Sequence, residues 1–258
     1  MSSALIGYTG FVGSNIGSQY SFTDFYNSKN IKELIGKEYD LVVCAGVPAV
    51  KWWANENPEE DFEVIRGLVD IYSTVKAKCF VLISTVDVYP YPREVDEESL
   101  IDTRNVSAYG RNRFWLEKEL NNVFPKLHVI RLPALFGPGL KKNVLFDMLN
   151  NNILDKINPE SSFQWYPLAR IWQDIEKVIE LDLNVVNFSV EPIKTSYIHN
   201  KFFSELDIGS SPFAEVHYDM RSVFARDLGS HNKNYLVEEG EVLLEMESWL
   251  NSAEQYND

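Results

Sequence analysis

Residues 4–16 read ALIGYTGFVGSNI: a short apolar run, glycines at Gly7, Gly10 and Gly13, then the start of a helical pattern. The spacing is G-x-x-G-x-x-G between a strand and a helix. In that setting the first glycine permits a tight turn, the second lets backbone approach a pyrophosphate, and the third lets the helix pack closely on the strand. The helix N-terminus adds unpaired N–H groups and the positive end of a dipole. The stretch predicts a dinucleotide-binding opening, with Gly7, Thr9, Gly10, Phe11, Val12 and Gly13 as the cofactor loop.

Outward from this loop, short apolar runs alternate with longer helical patterns, the signature of a parallel sheet covered by helices. Strands are expected at 4–8, 21–26, 40–45, 79–85, 127–132 and 185–189. Helices are expected at 12–19, 30–36, 59–77, 107–123, 143–150, 170–180, 196–205 and 238–250. The fold class that follows is α/β, a Rossmann-type doubly wound parallel sheet with a small C-terminal substrate region. Residues 1–135 would form the dinucleotide-binding domain, rejoined by 185–189, and 136–258 an interleaved, mostly substrate-binding part. Gly13 and Asp40 are so close in sequence that one strand and one short helix fill the space between them. Proline and glycine cluster in PALFGPG at 133–139, which reads as too irregular for helix or strand and is expected to line a ligand cleft.

The chain has 258 residues, 45% of them hydrophobic and 24% charged, an ordinary globular composition that sets disordered and coiled-coil readings aside. Its 24 basic and 38 acidic residues give a formal charge of -14, which repels nucleic acid and anionic membrane surfaces. Neither is expected as a partner. Cys44 and Cys79 sit in apolar runs and read as buried free thiols, and the scattered His128, His199, His217 and His231 show no metal-type spacing. With no basic leader and no long apolar run, a cytoplasmic location is expected.

The second strand ends in Tyr26-Asn27-Ser28-Lys29. A carboxylate here would take the adenine ribose hydroxyls of NAD. Asn27 and Ser28 can instead donate to a 2′-phosphate and Lys29 can offset its charge, which favours NADP over NAD. Asp24 argues the other way, since a shift of the strand end by two residues would bring its carboxylate near the ribose.

The fourth strand runs into Ser84-Thr85-Val86-Asp87-Val88-Tyr89, and a helix begins near Ser107 with Tyr109 and Arg113 four residues apart, on one helical face. A tyrosine with a pKa of about 10 is a poor acid or base at neutral pH unless a nearby cation favours the phenolate. Arg113 can be that cation, and the Thr85 hydroxyl can orient a substrate oxygen beside Tyr109.

Together with CAG at 44–46, Asn57-Pro58, ISTVDVY at 83–89, SAYGRNR at 107–113 and RLPALFGPG at 131–139, the glycine loop resembles the extended short-chain dehydrogenase/reductase family, its NAD-dependent epimerase/dehydratase group. In size and compact second-strand region the chain is similar to the dTDP-4-dehydrorhamnose reductases. The resemblance implies Tyr109 as the catalytic acid/base, Thr85 as the substrate-positioning hydroxyl, Ala45 and Gly46 close to the cofactor and Pro133 near the nicotinamide. It implies a nucleotide-sugar substrate and a homodimer, which the apolar stripes of 59–77 and 107–123 also suggest. The family pattern is Y-x-x-x-K, whereas this chain has Arg113 at the lysine position. Arg113 is expected to take over the lysine's contact with the nicotinamide ribose. The alternative is a noncatalytic NAD(P)-binding sensor or scaffold.

Substrate contacts are sought at Lys51, Trp52, Trp53, Asp87, Lys141, Lys142, Asn143 and Gln164 to Tyr166, and Asp96-Glu97-Glu98 reads as a solvated acidic loop.

Overall fold

The computed structural model describes residues 1–254. Apolar side chains at alternating positions need cover on both faces of a sheet, and the first unit supplies it. This unit comprises Met1–Tyr91, Glu97–Leu132 and Arg170–Asn187. Its strands are β1 (Ser3–Ile6), β2 (Asp24–Tyr26), β3 (Glu38–Cys44), β4 (Lys76–Thr85), β5 (Leu127–Leu132) and β6 (Val185–Asn187), all parallel, in the order β6-β5-β4-β3-β1-β2. The order reverses at β1, with β2 on one side and β3 on the other. In such sheets ligands bind beyond the strand C-termini at that switch point, which here is where Gly7 and Ala45 lie.

The helices of this unit are α1 (Phe11–Gln19), α2 (Lys51–Glu56), α3 (Pro58–Tyr72), α4 (Ala108–Val123) and, later in the chain, Ile171–Glu180. Ala4, Ile6, Val42, Cys44, Phe80, Leu82, Leu127 and Val129 point to one face, where Ile65, Val69 and Tyr72 of α3 and Leu116 and Leu120 of α4 cover them. Fully burying side chains of this size contributes roughly 1.5–3 kcal/mol each. Leu5 has the opposite parity and meets α1, where a Cβ on Gly17 would lie 3.2 Å from its side chain.

Several boundaries differ from expectation. The expected helix 59–77 ends at Tyr72, because Ser73 and Thr74 turn their hydroxyls back onto the carbonyls of Val69 and Ile71, at 2.8 and 2.7 Å. Lys76 and Ala77 then pair with Glu38 and Tyr39 as the start of β4. The segment 30–36 forms only a 3₁₀ turn, Ile31–Leu34, and α2 was not anticipated.

The second unit comprises Pro92–Asp96, Pro133–Ala169 and the chain from Phe188 onward. It is built from short paired strands: Ala134–Phe136 with Trp165–Pro167, Ser162–Phe163 with Ile193–Lys194, and Arg93–Val95 with Asp219–Met220. The stretch 133–139 thus contains a strand where irregular chain was expected. Trp165, Tyr166, Phe136 and Phe188 form the apolar centre. Among the described residues no helix is long and apolar enough to cross a membrane.

Candidate active site

Backbone-on-backbone packing builds the loop after β1. Gly7 has φ of +85°, and a Cβ there would stand 2.5 Å from the Ala45 carbonyl and from the Gly46 Cα, so the ends of β1 and β3 touch only because this residue is glycine. Gly7 N–H donates to Tyr26 O at 2.7 Å, and Gly10 N–H donates to Gly7 O at 2.9 Å. A Cβ on Gly13 would lie 2.1 Å from Gly7 O, which is the helix-to-strand approach expected of a third glycine. Gly10 is the N-cap of α1, with no side-chain cap and no acidic residue in the first turn. A Cβ at Gly10 would meet only Gly7 O, at 3.3 Å. An uncapped helix N-terminus with no side chain at its N-cap glycine fits a pyrophosphate.

At the end of β2, Asn27 Oδ1 accepts from Lys29 N–H at 2.9 Å, while Ser28 and Lys29 are exposed. Asp24 sits at the opposite end of the strand, paired with Ala4, and accepts from Tyr39 OH at 2.8 Å. No strand shift brings it to the C-terminal end.

The first turn of α4 is seated against the turn that follows β4. A Cβ on Gly110 would be 1.8 Å from the Asp87 carbonyl oxygen, so the two backbones are in direct contact. In the same turn Thr85 Oγ1 accepts from Asp87 N–H at 3.1 Å. Asn55 of α2 reaches across and accepts from Tyr109 N–H at 3.0 Å. Tyr109 and Thr85 are thereby fixed on adjoining segments, with Lys51 Nζ 2.7 Å from Asp87 Oδ1 beside them. Burial pushes the Tyr109 phenol above its ordinary pKa. The Arg113 guanidinium pulls it down, Asp87 pushes it up, Lys51 pulls it down and Asp61 pushes it up. At neutral pH the phenol is protonated.

Arg113 stands beside Tyr109, its guanidinium carbon 3.9 Å from the ring centroid. Its donors are nevertheless occupied. Nη1 donates to Asp61 Oδ2 at 2.5 Å and to Tyr109 O at 3.1 Å, and Nη2 donates to Asp61 Oδ1 at 2.9 Å and to Pro48 O at 2.5 Å. Only the buried Nε–H has no hydrogen-bond partner. The expected ribose contact therefore meets a bidentate ion pair whose side chains are 4% and 1% exposed. Asn112 completes the cluster by donating to Asp61 Oδ2 at 2.8 Å. One turn further along α4, Glu117 binds Arg131 of β5 through Nε at 3.1 Å and Nη2 at 2.6 Å, and accepts from Ser84 Oγ at 2.5 Å.

The profile of the NAD dependent epimerase/dehydratase family matches residues 17–162, more than half of the sequence. The chain belongs to that family. Solved structures share the fold: UDP-glucose 4-epimerase with UDP-glucose from Thermotoga maritima (TM-score 0.75, 14% identity, 98% of this chain and 100% of that one) is one. The dTDP-4-dehydrorhamnose reductase of Bacillus anthracis in complex with NADP is another (0.76, 13%, 98% and 99%). A third is an NAD-dependent NDP-hexosamine 5,6-dehydratase involved in tunicamycin biosynthesis (0.73, 18%, 98% and 98%). A search of curated proteins finds no match.

Several residues sought as ligand contacts in this epimerase/dehydratase chain serve packing instead. Trp165 and Tyr166 are fully buried, and Gln164 donates to the carbonyls of Val190 and Met220 and accepts from Met220 N–H. Asn143 caps helix Val144–Leu149, accepting from Phe146 N–H at 3.1 Å. Glu97 is not simply solvated: its carboxylate accepts from Asn187 N–H at 2.7 Å. Trp52 is exposed, and Pro133 opens a segment of the second unit. Cys44 and Cys79 are buried and free, as expected. Among the described residues no cluster of metal-ligating side chains occurs. Sequence reasoning missed Asn55, Asp61, Gly110 and Asn112. Of these only Gly110 carried a local signal, a glycine in the first turn of a helix directly after the tyrosine.

Proposed function

We propose that this chain is an NAD(P)-dependent oxidoreductase or epimerase acting on a nucleotide sugar, with Tyr109 as acid/base and Thr85 as the hydroxyl that orients the reacting sugar oxygen. The observation that carries the proposal is the seating of α4 on the turn after β4, with Gly110 against Asp87, in the same unit as the glycine loop. Gly7, Thr9, Gly10, Phe11, Val12 and Gly13 would hold the pyrophosphate, and Ala45 and Gly46 would pass beside the dinucleotide. A bound nicotinamide supplies the hydride acceptor and donor. Tyr109, held protonated by burial, gives its proton to the sugar oxygen in the reducing direction and must release it for the oxidising one. Residues 136–258 would form the mostly substrate-binding part, and Pro133 would lie near the nicotinamide.

NADP is the preferred cofactor in this proposal, because β2 runs into Asn27, Ser28 and Lys29 while Asp24 lies at its other end. The setting is cytoplasmic, consistent with two buried free thiols. The chain pairs as a homodimer through α3 and α4, where Val64 is exposed although Phe62 packs on Trp115 within the chain. Light scattering that reports a monomer at micromolar concentration removes the dimer.

The test is a panel of UDP- and dTDP-linked sugars with NADPH, NADP, NADH and NAD, followed by nicotinamide absorbance and product analysis. Turnover that Tyr109→Phe abolishes supports the proposal. A second reading, a noncatalytic dinucleotide sensor, is favoured by one observation, the engagement of Arg113 with Asp61. Cofactor binding without turnover of any sugar would select it.

A further inference from the structure

A pocket of about 200 Å³ lies wholly within the second unit, lined by the helix Val144–Leu149 and by parts of the segments 153–163 and 213–216. Backbone bonds fix the wall opposite the helix: Ser211 N–H and Phe213 N–H donate to the carbonyls of Asp155 and Lys156, both at 2.9 Å. Most of the lining is apolar, from Val144, Ile153, Ile157, Phe163 and Phe213, and Ile153 and Phe213 remain 49% and 63% exposed. Ile153 is also held at φ +40°, a strained setting for a β-branched residue. The polar side chains of the lining are engaged with the chain itself. Asn158 Nδ2 donates to Phe213 O at 2.8 Å and its Oδ1 accepts from Glu160 N–H at 2.9 Å. Ser161 Oγ accepts from Val216 N–H at 3.1 Å, and Lys156 Nζ donates to Ser211 Oγ at 3.1 Å beside Asp155. Asp147 differs. Its Oδ1 accepts from Asn152 Nδ2 at 2.7 Å, and among the described residues its Oδ2 accepts from nothing. Burial pushes this carboxyl above its ordinary pKa, and the Asn152 bond pulls it down.

An apolar pocket with one open carboxylate suits a flat ring whose edge carries hydrogen-bond donors. Whole drug-sized ligands occupy roughly 300–1,000 Å³, so this smaller space suits a single ring system. Guanine presents two adjacent donors, N1–H and the N2 amine, which one carboxylate accepts together. Uracil and thymine present N3–H between two carbonyl oxygens, so a carboxylate there faces an acceptor beside the donor. Cytosine sets its amine beside a ring nitrogen that is also an acceptor. We propose that this pocket takes the base of the nucleotide sugar and that Asp147 selects guanine, so that the substrate class is a GDP-linked sugar. The inference rests on the nucleotide-sugar reading of the proposed function, and the choice of base rests on the second unit alone.

The test is calorimetric titration of the full chain with GDP, UDP, dTDP and CDP, in the presence and absence of NADPH, so that base recognition is read apart from turnover. GDP should bind roughly tenfold or more tightly than each of the others. Asp147→Asn keeps an acceptor for Asn152 but replaces the second oxygen with an amide donor. It should weaken GDP by a similar factor and leave UDP unchanged or tighter. Phe213→Ala, at an exposed side chain, should weaken GDP while the thermal midpoint stays at the wild-type value. UDP or dTDP binding as tightly as GDP overturns the inference, as does absent GDP binding or undiminished GDP affinity in either folded variant. The proposed function fails separately. GDP bound through Asp147, with no GDP-, UDP- or dTDP-linked sugar turned over, removes the enzyme and leaves the pocket's assignment standing. Turnover of a UDP- or dTDP-linked sugar that Tyr109→Phe abolishes, without a preference for GDP, does the reverse.

Discussion

Around Gly7 to Gly13 backbone lies on backbone, with room for no Cβ at Gly13 within 2.1 Å of the Gly7 carbonyl, whereas along α4 the contacts run through charged side chains, Arg113 on Asp61 and Glu117 on Arg131. The loop's partners lie within a few residues or at the ends of the two strands that flank β1. The α4 face is assembled from positions far apart in sequence: Asp61 is 52 residues from Arg113. A backbone construction fails sterically, by the first atom added. A charge-paired one fails electrostatically, by the first partner removed, because the charge left behind stays buried.

The largest effect is expected on the loop. Gly13→Val puts side-chain atoms into the Gly7 carbonyl, so α1 cannot seat on β1, and both cofactor binding and cooperative unfolding should be lost. A wild-type melting curve would show that the close approach is not needed. On α4, Arg113→Met leaves the Asp61 carboxylate buried without its main partner and should cost about 3–5 kcal/mol, read by chemical denaturation. The double variant Arg113→Met/Asp61→Leu should recover much of that loss. A cost for the double variant equal to or above that of Arg113→Met alone would mean that the pair does more than hold helices together.

A pH profile sharpens the contrast. The Tyr109 phenol titrates above its ordinary value, because burial outweighs the nearby cations. In the reducing direction of the proposed reaction, where the protonated form would act, the rate should stay flat through neutrality and fall only at alkaline pH. In the oxidising direction it should rise with pH across the same range. A reducing rate that falls below neutrality would assign the limb to another group. The smallest effect concerns the end of β2. Lys29→Glu should shift preference from NADP toward NAD by roughly tenfold, about 1.4 kcal/mol, as two titrations would show. No shift would mean that backbone contacts set the choice.

What could be read from the sequence follows the same division. The loop, the strands and the Tyr109/Arg113 spacing were legible because each is local: three glycines after an apolar run, or side chains one helical turn apart. The engagement of Arg113 was not, since Asp61 reads as one of several acids in the first turn of α3, where Glu59 and Glu60 also lie. The end of α3 was missed for a similar reason. Residues 73–77 continue an apolar rhythm, but strand pairing with β3 takes Lys76 and Ala77 and overrides it. Trp165 and Tyr166 were sought as substrate contacts and proved to be core, because large aromatic side chains bury the most apolar area per residue.

The loop from Gly7 to Gly13 is proposed to hold a dinucleotide, and a substitution at Gly10 separates that role from folding. A Cβ there meets only one atom within 4 Å, so Gly10→Val should fold, with circular dichroism and melting close to wild type. Its branched side chain would occupy the space in front of the α1 N-terminus. Calorimetric titration with NADPH and NADH is therefore expected to give binding for the wild type and none measurable for Gly10→Val. Unchanged affinity in a folded Gly10→Val variant would contradict the account.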